Sequence, residues 1–411
     1  MRASIDVAII GAGPYGLSVA AHLAARGIDH RVFGEPMRLW DRHMPPGMHL
    51  KSDGKSSDLS DPDGALTLAE FCRTRGIAFD RTLLPVKVET FAAYGRAFQE
   101  RFAPRTECRH LTRLDRASGV FNLHFDDGEW LTANHVVLAV GVLPFRHVPE
   151  MFSHLPPSLA SHSSAFGRLD HLDGREVVIV GAGSSALDLA ALLTDRSSRV
   201  SIVTRSQRLL FHGAPPTRPR SLLWRLRAPD SKIGAGWLLR FCDDAPQLVH
   251  ALPDALRRRI VRNTLGPSGG YFVRDRVMGS ATIHCGRAPL SATARGDRVV
   301  LHTQERDGRR DSIEGDHLIL ATGYRLDVDS LPFLSREIRD GLTTVEKMPI
   351  LSANFESSIP GLYFVGFAAM RGFGPVMRFV AGAPHPARRL ARHIAGLTRP
   401  SFSPARLRPV G

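Results

Sequence analysis

Residues 6–16 read Asp-Val-Ala-Ile-Ile-Gly-Ala-Gly-Pro-Tyr-Gly, an apolar run that leads into a G-x-G-x-x-G turn. The run is typical of a buried parallel strand, and the Ala-rich residues 17–26 favour a helix that ends at Gly27. In that context the turn predicts a dinucleotide cradle, because its glycines let backbone N–H groups approach a pyrophosphate. A second strand, residues 30–34, precedes a carboxylate suited to a ribose hydroxyl. The residues predicted to bind this first dinucleotide are Gly11, Gly13, Pro14, Tyr15, Gly16 and Glu35.

Residues 176–193 repeat this design, with a strand over 176–180, a glycine turn over 181–186 and a helix over 187–193. The next strand, residues 199–203, is followed by arginine instead of an acidic residue. A guanidinium pairs with a 2′-phosphate, which a carboxylate would repel, so this cradle is expected to prefer NADP(H) to NAD(H). The residues predicted to bind this second dinucleotide are Gly181, Gly183, Ser184, Ser185, Ala186, Arg205 and Arg208.

Two cradles on one chain predict two dinucleotides with a hydride passing between them, and FAD at the first with NADPH at the second is the natural assignment. Further strands that end in glycine, residues 136–141, 317–323 and 360–366, predict that the chain returns to its first fold. The expected fold class is therefore α/β, with two Rossmann-like dinucleotide-binding domains, the NADP domain being inserted into the FAD domain. The expected bounds are 1–160 and 316–411 for the two FAD parts, the second with a C-terminal helix, and 161–315 for the NADP part. Residues 211–279 are interpreted either as an insertion that forms a lid and sets substrate choice or as surface helices of the NADP domain.

Composition excludes several other classes of protein. The chain has 411 residues, 43% apolar and 23% charged, and a net charge of +14 that is spread along its length without a basic run. These values fit a globular protein without a membrane span, and they do not favour a nucleic-acid partner. Four scattered cysteines form no Cys-x-x-Cys pair, and no histidines share metal-ligand spacing. We therefore expect a cytoplasmic protein without a metal or a redox disulfide.

The motifs Gly-Ala-Gly-Pro-Tyr-Gly-Leu (11–17), Gly-Ala-Gly-Ser-Ser-Ala (181–186) and Ala-Thr-Gly-Tyr (321–324) resemble those of class B flavoprotein monooxygenases. That group includes flavin-containing monooxygenases and N-hydroxylating ornithine and lysine enzymes. A glycine-rich turn, residues 372–375, precedes a predicted helix over 376–381, which either points its positive end at the flavin or belongs to a structural loop. The resemblance and the strand ends together add cofactor-site candidates: Trp40, Lys51, Ser52, Thr322, Gly323, Tyr324, Gly366 and Gly374.

The resemblance implies that NADPH reduces FAD and that dioxygen adds to flavin C4a. The resulting hydroperoxide would give one oxygen atom to a nitrogen or sulfur centre of a small molecule. Because the cofactor supplies the oxidising power, no catalytic side chain is assigned. Three alternatives stay open: a Baeyer–Villiger ketone monooxygenase, an NADPH-dependent flavin oxidase or reductase, and a non-enzymatic NADPH sensor.

Overall fold

The computed structural model describes residues 4–216 and 220–398. In chain order the strands of these residues are β1 Ser4–Ile10, β2 His30–Phe33, β3 Thr106–Glu107, β4 Leu111–Ala117, β5 Val120–Phe125, β6 Trp130–Leu138, β7 Ala160–His162, β8 Glu176–Val180, β9 Arg199–Thr204, β10 Asp230–Ser231, β11 Gly234–Ala235, β12 Thr282–Cys285, β13 Ala288–Arg295, β14 Arg298–Gln304, β15 Arg310–Gly315, β16 His317–Leu320, β17 Thr344–Val345, β18 Met348–Pro349 and β19 Leu362–Phe364. The helices are α1 Pro14–Ala24, α2 Arg38–Arg42, α3 Leu68–Thr74, α4 Val88–Phe102, α5 Ser184–Thr194, α6 Leu222–Arg227, α7 Trp237–Asp244, α8 Pro246–Ala251, α9 Asp254–Asn263, α10 Arg274–Ser280, α11 Arg336–Gly341, α12 Met370–Phe373 and α13 Pro384–Thr398.

The first sheet draws strands from both halves of the chain. Its order is β3-β2-β1-β6-β5-β4, and β19 pairs with the end of β6. β1 runs parallel to β2 and β6, whereas β4, β5 and β6 form an antiparallel meander. The register Leu362↔Val136 places the late strand β19 beside the strand that also pairs with β1. The predicted return of the chain to its first nucleotide fold is thus confirmed.

The second sheet is fully parallel, in the order β12-β9-β8-β16-β7. Its central strands read as continuous apolar runs because helices and connecting segments cover both faces, and residues 177–180 are buried throughout. A separate antiparallel sheet, β13-β14-β15, lies between β12 and β16 in the sequence. The predicted α/β class with two dinucleotide folds is therefore confirmed, and the bounds 1–160, 161–315 and 316–411 remain predictions.

Residues 211–279 contribute helices to both parts of the molecule. α10 packs on α5 of the second fold, whereas α8 and α9 pack on α12 near the end of the chain. Arg371 of α12 is only 5% exposed and forms ion pairs with Asp254 (2.9 Å) and Glu346 (3.0 Å). This segment therefore fastens the late elements of the first fold to the second, and its role in substrate choice remains a prediction.

The prediction of a helix over residues 376–381 is wrong. Two short 3-10 turns, Pro375–Arg378 and Val380–Gly382, occupy this region. Phe379 separates them in an extended conformation, with φ −118° and ψ 157°. Its carbonyl accepts a hydrogen bond from the Tyr15 hydroxyl (2.9 Å), which couples the break in the helix to the first glycine turn.

Candidate functional site

The first glycine turn connects β1 to α1 at the carboxyl end of the strand. Gly11 has φ +113°, and a Cβ atom on it would lie within 3.0 Å of the Ala139 carbonyl at the end of β6. A Cβ atom on Gly16 would likewise clash with the Gly11 carbonyl. Both positions therefore require glycine, as the cradle interpretation demands.

A cavity of about 470 Å³ opens in front of this turn. It extends from the end of β2 past residues 139–146 to residues 377–380. Gly16 lies beneath the turn, Lys51 contacts the loop over the second turn, and Gly374 packs against Val249 and Cys242; neither Ser52 nor these three residues line the cavity. The predicted cofactor residues that line the cavity are Gly11, Gly13, Pro14, Tyr15, Glu35, Trp40 and Gly366.

Three aromatic or acidic side chains shape this cavity. Tyr15 lies against Gly366, whose φ of +69° and proximity to the Tyr15 ring favour glycine there. The Trp40 ring covers Gly13 and packs edge-on against Phe91 at 5.2 Å. Glu35 accepts a hydrogen bond of 2.8 Å from Arg42, so its carboxylate is held at the end of β2, where a ribose is expected.

The cavity has a cationic lining that the sequence analysis missed. Its arginines come from helix α2, from a 3-10 turn and from two connecting segments that lie far apart in the sequence, so no local motif marks them. Arg378 is half-buried, which lowers the pKa of its guanidinium, and it donates to the carbonyls of Val261 (2.8 Å) in α9 and of Thr264 just after that helix. Among the described residues no carboxylate pairs with Arg378. The arginines of the lining are Arg38, Arg109, Arg146 and Arg378.

The second glycine turn connects β8 to α5 and has the same geometry. Gly181 has φ +135°, and a Cβ atom on it would lie within 3.0 Å of the Ala321 carbonyl at the end of β16. Ser185 and Ala186 lie in the first turn of α5, and buried Ala186 stands where the first cradle has Gly16. Arg205 and Arg208 are exposed directly after β9, the position predicted for contact with a 2′-phosphate.

A glycine-rich loop, residues 266–270, lies over this second turn, and the sequence analysis missed it. The hydroxyl of Ser184 donates to the Ser268 carbonyl (3.0 Å), and Gly183 lies against Pro267. Lys51 Nζ donates to Ser268 Oγ (2.9 Å), and His212 Nε2 lies at 2.9 Å from the same oxygen. Lys51, predicted to lie beside the flavin, therefore reaches the loop over the other cradle.

Asp188 of α5 is buried near Lys51. Burial raises the pKa of Asp188 to about 7, although the charges of Lys51 and Arg276 oppose this shift. Its Oδ1 atom has no hydrogen-bond partner within the described parts of the chain. Desolvation lowers the pKa of Lys51, and the nearby charge of Asp188 opposes this shift.

The segment after β16 joins the two folds. Gly323 accepts hydrogen bonds on its carbonyl from His147 N (2.9 Å) and from His162 Nε2 (3.0 Å). The Thr322 hydroxyl donates to the His147 carbonyl, so it is directed to the linker. Burial raises the pKa of Tyr324, whose ring packs on His162 and whose hydroxyl bonds Ser164, a residue of the first cavity.

These features fit two dinucleotides. Each glycine turn excludes a side chain where a pyrophosphate would approach, and acidic and basic groups stand where a ribose and a 2′-phosphate are expected. Among residues 4–216 and 220–398 no cluster of ligands suits a metal ion, and no helix has the length and apolarity to cross a bilayer. The four cysteines are free thiols.

The fold and these two cradles define a two-dinucleotide oxidoreductase. Residues 5–220 match the family described as pyridine nucleotide-disulphide oxidoreductase, and the chain belongs to that family. An indole-3-pyruvate monooxygenase of Oryza sativa, YUCCA1, is 26% identical over 389 residues, which cover 87% of this chain and 86% of that protein. A ferredoxin–NADP reductase of Salinispora arenicola is 30% identical over 224 residues, 54% of this chain and 61% of that protein.

Solved structures share the fold over nearly the whole chain. The ornithine N-hydroxylase of Kutzneria sp. 744 has a TM-score of 0.77 at 16% identity, covering 96% of this chain and all of that one. The L-lysine 6-monooxygenase of Pseudomonas syringae has a TM-score of 0.75 at 18% identity, with the same coverage. The resemblance to class B flavoprotein monooxygenases is thus confirmed in the fold, and the prediction of an oxidoreductase is confirmed by the family.

Proposed function

We propose that this protein is an NADPH-dependent FAD monooxygenase that transfers one oxygen atom of dioxygen to a nitrogen or sulfur centre of a small molecule. The hydrogen bond between Lys51 and Ser268 carries this proposal. It joins the stretch expected beside the flavin to the loop over the second glycine turn. Hydride transfer between two dinucleotides needs such a junction, because their reactive rings must meet.

FAD is proposed for the first cradle and NADPH for the second. The first offers the large cavity, with Glu35 held for a ribose. The second offers Arg205 and Arg208, whose exposed guanidinium groups can pair with a 2′-phosphate. Bound FAD would accept a hydride from NADPH and activate dioxygen. We also propose a cytoplasmic location, which the four unpaired cysteines support because disulfides are rare in that compartment.

The chain's own residues would bind and orient the two dinucleotides and shield the cavity from water. Tyr15 and Trp40 form apolar walls that keep water from the cavity, and Tyr324 and Ser164 close its linker side. The Arg378 guanidinium would balance negative charge in the cavity, since no carboxylate among the described residues neutralises it. The names of the similar proteins, an ornithine N-hydroxylase and a lysine 6-monooxygenase among them, support oxygen transfer to nitrogen.

The test follows NADPH, dioxygen, hydrogen peroxide and product together. FAD-loaded protein is mixed with NADPH, first without oxygen and then with a panel of amines, thioethers and ketones. Incorporation of one labelled oxygen atom into an amine or thioether, matched to the NADPH consumed, supports the proposal. Labelled esters from the ketones would show a Baeyer–Villiger enzyme. Hydrogen peroxide formed in an amount equal to the NADPH consumed, with every compound, would show an oxidase. Reduction of added ferredoxin without oxygen uptake would show a reductase. NADPH that binds but is not oxidised would show a sensor.

A further inference from the structure

The residues between β9 and β12 of the second sheet carry an exposed apolar surface. Leu222, Leu223 and Leu226 of α6 are 75%, 81% and 67% exposed, and Trp237 at the start of α7 is 63% exposed. Trp237 Nε1 donates to the Leu226 carbonyl (2.9 Å), which fixes the indole beside α6. We call these four residues the α6 patch. Monomeric proteins rarely leave such large apolar side chains clustered in water without a binding role.

The α6 patch has a defined orientation on its helix. At about 100° per residue, the three leucines fall within an arc of about 100°. Arg225 and Arg227 are exposed on either side of this arc, about 60° and 40° from its edges. Trp224, on the opposite side, is half-buried and stacks with Arg220 at 3.5 Å. The helix thus presents leucines outward between two arginines.

The charge beside the α6 leucines is positive. Neither Arg225 nor Arg227 forms an ion pair within the described parts of the chain. The one acidic residue between positions 220 and 240 is Asp230, which pairs with Arg220 (3.3 Å). A second copy of this chain seated on the patch by a twofold axis would bring like charges together. The patch therefore complements an anionic surface with an apolar interior.

We propose that the α6 patch docks this protein onto an anionic lipid surface. Leucines and a tryptophan between arginines are the composition of segments that lie in the bilayer interface, with arginine at the phosphate level. The chain's net charge of +14 would add long-range attraction to the same surface. The protein would lie on the membrane and not cross it.

The test is sedimentation of the full-length, FAD-loaded protein with phosphatidylcholine vesicles, with and without phosphatidylglycerol. The wild-type protein is expected to bind the mixed vesicles. The affinity should fall by about tenfold or more in L222S/L226S. R225Q/R227Q should lose on the order of 30-fold in affinity and most of the preference for anionic vesicles. The exposed leucines of β13 and α13 give the control L290S/L397S, which should bind like the wild type.

Two further measurements test whether Trp237 contacts the lipid and whether the variants are folded. Vesicles should shift the tryptophan emission to shorter wavelength in the wild type and much less in W237F, while unchanged circular dichroism shows that the variants are folded. Equal binding to neutral and anionic vesicles, or binding that the patch variants leave intact, would overturn the proposal. So would a vesicle-free wild-type oligomer that L222S/L226S converts to a monomer, because a second copy would then cover the patch.

Discussion

Lys51 and Ser268, 217 residues apart in sequence, share a hydrogen bond of 2.9 Å between Nζ and Oγ. The lysine belongs to the stretch between α2 and α3, and the serine to the loop over the second glycine turn. The contact connects the stretch between α2 and α3 to the second predicted cofactor site, because the Ser268 carbonyl also accepts a hydrogen bond from Ser184 in that turn.

Replacing Lys51 with methionine should slow NADPH-dependent flavin reduction by about tenfold, since the loop over the second turn loses a charged hydrogen bond. Flavin content should not change, because Lys51 does not line the first cavity. Anaerobic stopped-flow absorbance measures the rate. Lys55→Met, in the same stretch, is the matched control and should reduce at the wild-type rate. Equal rates in K51M and K55M would contradict the positioning role of Lys51.

Replacing Arg205 with alanine should weaken NADPH binding by about 1.5–3 kcal/mol and NADH binding far less, because only NADPH carries the 2′-phosphate. Titration of each nucleotide, followed by flavin absorbance or by calorimetry, gives both affinities. Arg306→Ala, an exposed arginine in the turn between β14 and β15, should alter neither. A similar loss for both nucleotides in R205A would assign Arg205 a merely structural role.

Gly16→Ala should abolish stable flavin binding and lower stability by about 1–3 kcal/mol, because its new Cβ atom would clash with the Gly11 carbonyl. Flavin retained per protein and the midpoint of urea unfolding are the measurements. Gly396→Ala in α13 is the control, since no atom lies within 4 Å of a Cβ there, and it should stabilise by about 0.5–1 kcal/mol. A yellow G16A protein of wild-type stability would show that the cradle tolerates a side chain.

His22 should make the protein acid-sensitive. Burial lowers its pKa from 6.5 to about 4, helped by the charges of Arg388 and Arg26 and opposed by Asp61. Between pH 4 and pH 6.5 His22 is protonated in the unfolded chain but neutral in the folded protein. The free energy of unfolding that depends on neutral His22 is therefore fully present above pH 6.5 and is lost as the pH falls toward 4. The shift corresponds to about 3 kcal/mol.

His22→Gln should therefore lose less stability than the wild type when urea unfolding is compared at pH 7 and pH 4.5. His22 Nε2 lies 3.0 Å from Ser60 Oγ, and glutamine can keep a hydrogen bond to that hydroxyl. His302→Gln on β14 is the control and should follow the wild-type pH profile. Parallel profiles for H22Q and the wild type would show that His22 does not govern the acid limb.

The glycine turns could be predicted because their signal is local. Gly11 and Gly181 each stand between an apolar strand and a helix, and the close approach of Ala139 and Ala321 repeats in both folds. The return of β19 to the first sheet was also predictable, since residues 360–366 read as a buried strand that ends in glycine.

What the sequence could not reveal depends on long-range packing. The cationic lining comes from arginines far apart in the sequence, and Arg378 takes its orientation from carbonyls at the end of α9 and just after it, more than 110 residues earlier. The helix expected over residues 376–381 is interrupted by the extended backbone of Phe379, whose carbonyl bonds Tyr15, a contact across 364 residues. Only the glycine-rich run 266–270 offered a local signal that could have been used.

The position of β19 beside β6, with α13 packed on α1, dictates an order of events during synthesis. A ribosome must translate past residue 364 before the last strand of the first sheet is available, by which time all of the second sheet has been made. The nascent amino-terminal half therefore carries an open edge on β6 and a bare face on α1 until β19 and α13 have been made. A fragment truncated after residue 160 would never cover that edge and face, and we expect it to aggregate.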